Sequence, residues 1–336
     1  MIRKPTLVLS LDFELHWGVF DREGALTGYR DNLLGAREAV PRMLALFEQY
    51  GVHVTWATVG LLFARSREER ERYLPAVRPA YRNAALDPYR VAVGDGEEDD
   101  DPLHYAPSLI EQIAATPGQE VATHTFGHFY CLEDGATPEA FATDLKSAVR
   151  IAEARGIELR SIVFPRNQVD PRFLAVLPAH GITCYRGNPD HAFYRAGESG
   201  LLHRAGRLAD SYLNLTGHHT TAWADVLHES GLANVPGSRF LRPPTPRLAA
   251  LEPLKLRRIT RSMTHAARTG RIFHLWWHPH NFGRHLDESL TALRHILAHY
   301  RELRERYGMA SLGMAEVAAL ANGEVVLDVG DPDDGR

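Results

Sequence analysis

Two carboxylates follow the first apolar run of the sequence. Asp12 and Glu14 lie two residues apart in LDFE, directly after TLVLS. On an extended chain, residues i and i+2 point to the same side. Buried side by side, the two charges would repel each other unless a cation or a shared proton separates them. A metal ligand beside a general base meets this requirement, and an acidic pair facing water at a strand end is the alternative.

Two histidines form the second candidate group. His124 and His128 stand four residues apart in HTFGH. This spacing places both rings on one helical face, or on one wall of a tight turn, where they can chelate one ion. Together with a carboxylate from another strand end, they would leave coordination positions open. Such a set suits a catalytic site for a divalent metal better than a closed structural metal site. The alternative is that both residues are ordinary surface histidines.

Two further groups come directly after apolar segments, in FPRNQ (164–168) and WWHPHN (276–281). Arg166 could hold a catalytic carboxylate in its ionised form through a bidentate pair. His278, beside large aromatic side chains, could be desolvated on one side and act as a general acid near neutral pH. A turn arginine and a histidine that caps a core aromatic pair are the structural alternatives.

Strand-like and helical patterns alternate along the chain and predict the elements that position these groups. The predicted strands cover 6–12, 52–60, 120–125, 161–165, 181–187, 239–244 and 271–277. Helices are predicted over 32–50, from Thr137 to about Gly156, after Asp170 and over 287–307. This alternation favours a mostly parallel sheet. About seven strands suggest a closed or nearly closed barrel, with a doubly wound open sheet as the second choice. The candidate groups then share the carboxyl edge of the sheet, where such folds build their sites.

Residues 64–106 interrupt this alternation. They are strongly charged and contain the acidic run GDGEEDDD. We expect a solvated insertion after the second strand that acts as a lid over the site. Because the chain shows neither an internal repeat nor a low-complexity linker, residues 1–336 are predicted to form a single catalytic domain.

Composition narrows the class of protein. A formal charge of −4 and a pI near 6.5 argue against nucleic-acid binding. No apolar stretch approaches the ~20 residues that span a bilayer. The N-terminal apolar run is short and meets acidic residues at once, unlike a signal peptide. Cys131 and Cys184 are interpreted as reduced thiols. These features predict a cytoplasmic protein with no membrane span and leave its oligomeric state open.

The ordered motifs resemble those of the polysaccharide deacetylases of the NodB-homology group, carbohydrate esterase family 4. The resemblance covers roughly residues 5–320, and HTFGH matches the family's H-[ST]-x-x-H motif fully. VTWATVG (54–60) is similar to the strand-two signature A-T-F-F-x-x-G. LDFE stands in place of T-F-D-D and resembles the branch with a D-x-E variant, whereas FPRNQ replaces R-x-P-x-G.

The resemblance implies a distorted (β/α)7 barrel with one divalent metal ion, most often zinc. It implies hydrolysis of an amide bond other than a peptide bond, most often deacetylation of an N-acetylated sugar or polysaccharide. The implied metal ligands are Glu14, His124 and His128. The implied catalytic residues are Asp12 as the base, Arg166 as its partner and His278 as the acid, although Asp12 and Glu14 could exchange roles. The side chains expected to contact the substrate are Trp17, Trp277, Asn167 and Tyr185.

Two other functions remain open at this point. The same chemistry could act on a small amide, such as a formamide, a cyclic imide or a nucleotide sugar, because the insertion at 64–106 would narrow a groove for polymers. Alternatively, the protein could be an inactive glycan-binding barrel that keeps the shell without the chemistry.

Overall fold

The first apolar run forms the central strand of a parallel sheet. In a computed structural model, which describes residues 4–194, 197, 200–228 and 231–324, all eight residues of β1 (Thr6–Phe13) are buried. Parallel strands covered on both faces need such nearly continuous apolar sequences. The other strands are β2 Val54–Thr58, β3 Gln119–Thr123, β4 Ser161–Ile162, β5 Cys184–Tyr185, β6 Ala233–Asn234, β7 Arg239–Phe240, β8 Ile272–Trp277 and β9 Ala310–Ser311.

The sheet closes on itself through one bent segment, residues 233–240. The strand order is β6-β5-β4-β3-β2-β1-β8-β7, and β9 pairs with the first residues of β1. The two outermost strands of this order, β6 and β7, are joined by four residues. The N–H of Gly237 still donates to Gly187 on the β5 side, whereas that of Ser238 donates to His274 in β8. If β6 and β7 are counted as one bent strand, the described residues form seven strand positions. The barrel prediction is therefore confirmed, and the open sheet is not formed.

Ten helices are found in the described part of the chain. They are α1 Ala25–Gly28, α2 Arg30–Tyr50, α3 Arg67–Arg72, α4 Pro107–Ala115, α5 Pro138–Glu153, α6 Pro171–Leu174, α7 Leu201–Asp210, α8 Glu252–Thr269, α9 Leu286–Tyr307 and α10 Met314–Ala321. Several boundaries follow local signals. Gly51 ends α2 with φ 58° and ψ 45°, a conformation that costs glycine little. Thr137 caps α5 by accepting a hydrogen bond from the N–H of Ala140. None of the described helices is long and apolar enough to cross a membrane.

The segment 64–106 is largely irregular, and its inner side is part of the protein interior. Tyr81, Leu86, Leu103 and Tyr105 are buried. A short helix, α3, begins at Ser66, whose hydroxyl accepts from the N–H of Glu69. The segment is therefore packed onto the barrel, and its action as a lid stays a prediction.

Registers between neighbouring strands bring the candidate groups to one edge of the barrel. Phe13 pairs with Thr58, which in turn pairs with Thr123 of β3. Leu11 pairs with Trp277, the last residue of β8. The residues that follow these strands therefore meet at the carboxyl edge, as in other parallel barrels.

Candidate active site

Glu14 and two imidazoles meet in a buried cluster. The Oε2 atom of Glu14 lies 3.1 Å from Nε2 of His128 and 3.3 Å from Nε2 of His124. All three residues are at most 4% exposed. One potential ligand atom from each lies within 4.8 Å of the others. The three predicted metal ligands are thus close enough to hold one ion.

A tight turn held by α5 presents the two histidines. Thr125 and His128 adopt left-handed backbone conformations, with φ of 65° and 57°, so HTFGH forms a turn and not a helix. The backbone N–H groups of Phe126 and Gly127 donate to Asp144 of α5, over 2.7 and 3.0 Å. Burial raises the pKa of Asp144 to about 6. Because it accepts both of these backbone hydrogen bonds, the carboxyl group of Asp144 sets the geometry of the turn.

The hydrogen bonds of the cluster fit a cation. Nδ1 of His124 donates to the carbonyl oxygen of Val163 over 2.8 Å, which leaves an Nε2 lone pair directed at Glu14. A lone pair facing a carboxylate oxygen is repulsive unless a proton or a metal lies between them. Burial opposes ionisation of Glu14, but His278, His124 and His128 outweigh it and hold its pKa well below the usual value. One carboxylate and two imidazoles are suitable ligands for a divalent transition metal.

Asp12 is held by an arginine that the sequence interpretation missed. Arg186 donates to both carboxylate oxygens of Asp12, over 2.7 and 2.8 Å. It also donates to Ser10 and Asn167, and its guanidinium lies 4.2 Å from the ring centroid of Trp276. Burial would raise the pKa of Asp12, but the charge of Arg186 lowers it. Asp12 is therefore ionised and fixed in orientation.

Arg166 does not make the contact with Asp12 that was expected from its position in the sequence. It pairs with Asp21 and lies 4.3 Å from the ring centroid of Tyr130. The reason is distance along the chain: β4 ends at Ile162, four residues earlier, whereas Arg186 directly follows the last residue of β5. No local signal separates the two arginines, because each lies at the end of a predicted strand, 161–165 or 181–187, and only the observed strand ends distinguish them.

His278 lies between the two carboxylates. Its Nε2 is 3.6 Å from Oδ2 of Asp12 and 3.5 Å from Oε1 of Glu14. The side-chain amide of Asn281 lies 3.3 Å from Nδ1 of His278, and Oδ1 of Asn281 accepts from the hydroxyl of Tyr29 over 3.1 Å. With the amide donating to Nδ1, the proton of a neutral ring is on Nε2, directed at the carboxylates.

His280, the other histidine of this motif, stacks on His278 with a centroid distance of 5.0 Å. Its Nε2 lies 3.9 Å from Oε1 of Glu14, farther than that of His278. Burial lowers the pKa of His280 to about 3. A buried, neutral ring behind His278 is in a poor position to donate a proton into the site.

Behind Arg186, a buried histidine completes a chain of hydrogen bonds. Nδ1 of His274 lies 2.9 Å from the carbonyl oxygen of Val235, and its Nε2 lies 2.8 Å from the hydroxyl of Ser10. Burial lowers the pKa of His274 to about 3, so the ring is neutral. The hydroxyl of Ser10 can then donate to His274 while it accepts from Arg186. Neutral His274 therefore helps to orient the arginine that holds Asp12.

Alternation along β8 decides which tryptophan faces the site. Trp277 is fully buried and stacks on Phe282, on the side away from the barrel interior. Side chains one residue apart on a strand point in opposite directions. Trp276 therefore shares the inner side with His274 and His278, and it lines a cavity of about 430 Å³. Trp276 is only partly buried, and it lies at the cavity where Trp277 was expected to contact the substrate.

The other three predicted substrate contacts lie in different surroundings. Asn167 lines the same cavity as Trp276. Trp17 is fully buried, and its indole N–H donates to the carbonyl oxygen of His104 over 3.0 Å. Tyr185 is 4% exposed, and its hydroxyl lies 3.1 Å from His228. Burial leaves Trp17, Trp277 and Tyr185 no ring face on which a sugar could stack.

The segment 64–106 is attached to the site through two histidines and a carboxylate that sequence reasoning did not identify. Nδ1 of His16 lies 2.8 Å from Nε2 of His104. Nδ1 of His104 lies 2.7 Å from Oδ1 of Asp101. Burial, and secondarily His104, lowers the pKa of His16 to about 4. This buried chain connects the insertion to the backbone that carries Glu14.

Comparisons with known proteins bear on the fold. No protein-family model and no curated protein matches this sequence. A Mycobacterium smegmatis structure assigned as a polysaccharide deacetylase is similar with a TM-score of 0.61 and 15% identity, over 97% of this chain and 94% of that one. PuuE allantoinase is similar with a TM-score of 0.52 and 11% identity, over 93% and 88% of the two chains. The expected fold, a distorted barrel of the NodB-homology type, is confirmed. A shared fold does not by itself imply a shared function.

Proposed function

We propose that this protein is a metal-dependent hydrolase of a carbon–nitrogen amide bond, and that it deacetylates an N-acetylated sugar or polysaccharide. The observation that carries this proposal is the position of His278. Its Nε2 lies within 3.6 Å of both Asp12 and Glu14, and Glu14 is also shared by His124 and His128. A metal site, a base and an acid then lie within one small volume.

Glu14, His124 and His128 would hold the ion, and zinc is the metal that most often takes such a donor set at catalytic sites. When bound, the ion polarises the acyl oxygen and lowers the pKa of a coordinated water. Val163 fixes the ring of His124 through Nδ1. Hydrogen bonds of this kind orient metal-binding imidazoles and raise their basicity.

Asp12 acts as the general base, and its carboxylate accepts a proton from the attacking water. Its two hydrogen bonds to Arg186 keep it ionised and prevent rotation of the carboxylate. Asp12 is the better candidate for this role than Glu14, because Glu14 is directed at the imidazoles and Asp12 at the guanidinium. The proton thus moves to a group that is held beside the metal site.

His278 acts as the general acid. In its imidazolium form, its Nε2 gives a proton to the departing amine, which is a poor leaving group without one, and the ring is left neutral. The side-chain amide of Asn281 contacts Nδ1 and stabilises the neutral ring that remains after proton transfer, and Tyr29 orients Asn281. The side chain of His278 is 23% exposed, whereas those of Asp12 and Glu14 are 4% exposed. Of these three, His278 is therefore the one that a substrate can reach.

The proposal is tested with His124→Ala, with the exposed His295→Ala as the matched control. Metal per chain is measured by elemental analysis after zinc loading, and turnover is measured on soluble N-acetylated chito-oligosaccharides. We expect His124→Ala to lose both bound metal and activity, because two ligands rarely retain zinc at a catalytic site. His295→Ala should behave as the wild type. Full metal occupancy in His124→Ala would contradict the site.

A second candidate is the same chemistry on a small amide, such as a formamide, a cyclic imide or a nucleotide sugar. The likeness to PuuE allantoinase favours it, as does the burial of the cluster, whose three members are at most 4% exposed. Turnover of chito-oligosaccharides is compared with turnover of formamides and cyclic imides at equal concentration. Faster turnover of the small amides would select this candidate.

A further inference from the structure

The cavity of about 430 Å³ lies directly beside the proposed general acid. Two of its walls are Phe240 and Trp276, whose ring centroids lie 5.7 and 5.8 Å from that of His278. A third wall, Asn167, accepts a hydrogen bond from Arg186, the partner of Asp12. A ligand in this cavity would therefore lie next to His278 and to the Arg186–Asp12 pair.

The charged side chains that line the cavity are mostly positive. Among the described residues they are Glu133, Arg166, Arg207, Arg239 and Arg242. Arg166 pairs with Asp21, and Arg239 pairs with the buried Asp210 over 2.9 Å. Arginine is thus the main charged residue of the described lining, and the carboxylates that pair with Arg166 and Arg239 lie outside it.

Arg242 makes no ion pair with any residue that the structure describes. Its Nε donates to the hydroxyl of Ser211 over 2.7 Å, and Ser211 also lines the cavity. Burial lowers the pKa of Arg242, and the charge of Arg207 lowers it further. A half-buried guanidinium that lacks a counter-ion is costly, so a bound anion would relieve this cost.

We propose that this cavity is an anion-binding subsite of the substrate pocket and that Arg242 is its principal contact. The inference rests on the proposed function, because it assigns the substrate class of the same site: an N-acylated sugar that bears a carboxylate or a phosphate group. A guanidinium donates two parallel hydrogen bonds to either group. Phe240 and Trp276 supply apolar faces for the sugar ring between this anion and the acyl group.

The test is a binding measurement that does not require turnover. Isothermal titration calorimetry compares N-acetylglucosamine, which is neutral, with N-acetylglucosamine 1-phosphate and N-acetylglucosaminuronic acid. Charge-assisted hydrogen bonds predict that at least one anionic ligand binds roughly tenfold to a hundredfold more tightly than the neutral sugar. That preference should weaken as salt is raised. The ligand that binds more tightly identifies the source of the charge.

Two variants locate the effect. Arg242→Gln should remove the preference for the anionic ligand, whereas Arg247→Gln should retain it, since Arg247 is exposed and lies outside the cavity lining. Equal affinities of the wild type for neutral and anionic sugars would overturn the inference without any variant. Unchanged anion binding in Arg242→Gln would overturn it as well.

The failures of the two proposals are distinguishable. Binding of an anionic sugar that depends on Arg242, in a protein that holds no metal and hydrolyses no amide, would leave the subsite and reject the proposed function. Metal-dependent hydrolysis of neutral N-acetylated sugars, with no preference for charged ones, would reject the subsite and leave the proposed function.

Discussion

Asp12 and Glu14 are two residues apart, yet their neighbours separate their chemistry. Burial disfavours ionisation of both. A guanidinium offsets this for Asp12, and histidines offset it for Glu14. A carboxylate surrounded by imidazole nitrogens suits metal binding, and one held by a bidentate arginine suits proton transfer. The roles proposed for Asp12 and Glu14 rest on these neighbours.

Asp12→Asn should remove turnover without removing the metal. The amide cannot accept the proton from water, and general-base catalysis typically contributes roughly 10²–10⁴-fold. The three proposed metal ligands are untouched by this change. The measurement is kcat together with zinc per chain. A rate close to that of the wild type would show that Asp12 is not the base.

Replacing Arg186 should be far more damaging than replacing Arg166. Arg186→Met leaves a buried carboxylate without its partner, which costs about 3–5 kcal/mol, and it should also raise the pKa of Asp12. Arg166→Met removes a partly exposed pair worth about 0–1 kcal/mol. Denaturant unfolding and kcat are measured for both variants. If the two variants were equally active and equally stable, the pairing of Arg186 with Asp12 would have no role in catalysis.

At the level of elements, α5 acts as a support for the histidine turn. Asp144 accepts from two consecutive backbone N–H groups of HTFGH and from the hydroxyl of Tyr89. Thr125 adds a further hydrogen bond, because its hydroxyl accepts from the N–H of Phe129 over 2.7 Å. The left-handed residues of the turn are thereby held in place. The two histidines proposed as metal ligands thus depend on a helix that carries neither of them.

Asp144→Ala should therefore weaken metal binding, although Asp144 is not a ligand. Each buried N–H left without an acceptor costs about 1–3 kcal/mol, and the turn should loosen. Zinc affinity and the thermal midpoint are measured, with Asp170→Ala as the control. Asp170 caps α6, so its loss should cost about 1 kcal/mol of stability and leave zinc affinity unchanged. Unaltered zinc affinity in Asp144→Ala would contradict the supporting role of α5.

At the level of the whole molecule, stability should fall in acid through His274. Its folded pKa is lowered to about 3 from 6.5, so the folded state favours the neutral ring. This contribution is complete above about pH 6.5 and is lost as the pH falls towards 3. Between these values one bound proton changes the free energy of unfolding by about 1.4 kcal/mol per pH unit.

The comparison of His274→Gln with His295→Gln tests this pH dependence. The free energy of unfolding is measured from pH 7 to pH 3.5. His274→Gln should flatten the acid slope by up to about 1.4 kcal/mol per pH unit, whereas the exposed His295 should contribute little. An unchanged slope in His274→Gln would mean that this ring is not buried in its neutral form. Asp144 acts in the opposite sense, because its pKa is raised to about 6. Its contribution to stability is present at low pH and is lost as the pH rises through about 6.

Local signals in the sequence were enough to predict the main elements and the order of the motifs. Apolar runs predicted β1, β2, β3 and β8, and helix caps such as Thr137 and Gly51 marked helix ends. Elements without such signals were missed. β6 has two residues, and the buried side of α8 includes Lys255 and Arg258, whose burial depends on partners far along the chain.

The candidate metal-binding cluster and the barrel that carries it could thus be predicted from the sequence, because period, caps and motif spacing are properties of neighbouring residues. The choice between similar residues was decided only by tertiary structure. Arg186 rather than Arg166 contacts Asp12, and Trp276 rather than Trp277 faces the cavity. Those choices depend on where a strand ends and on which of its two faces turns inward. Only the closed sheet determines both.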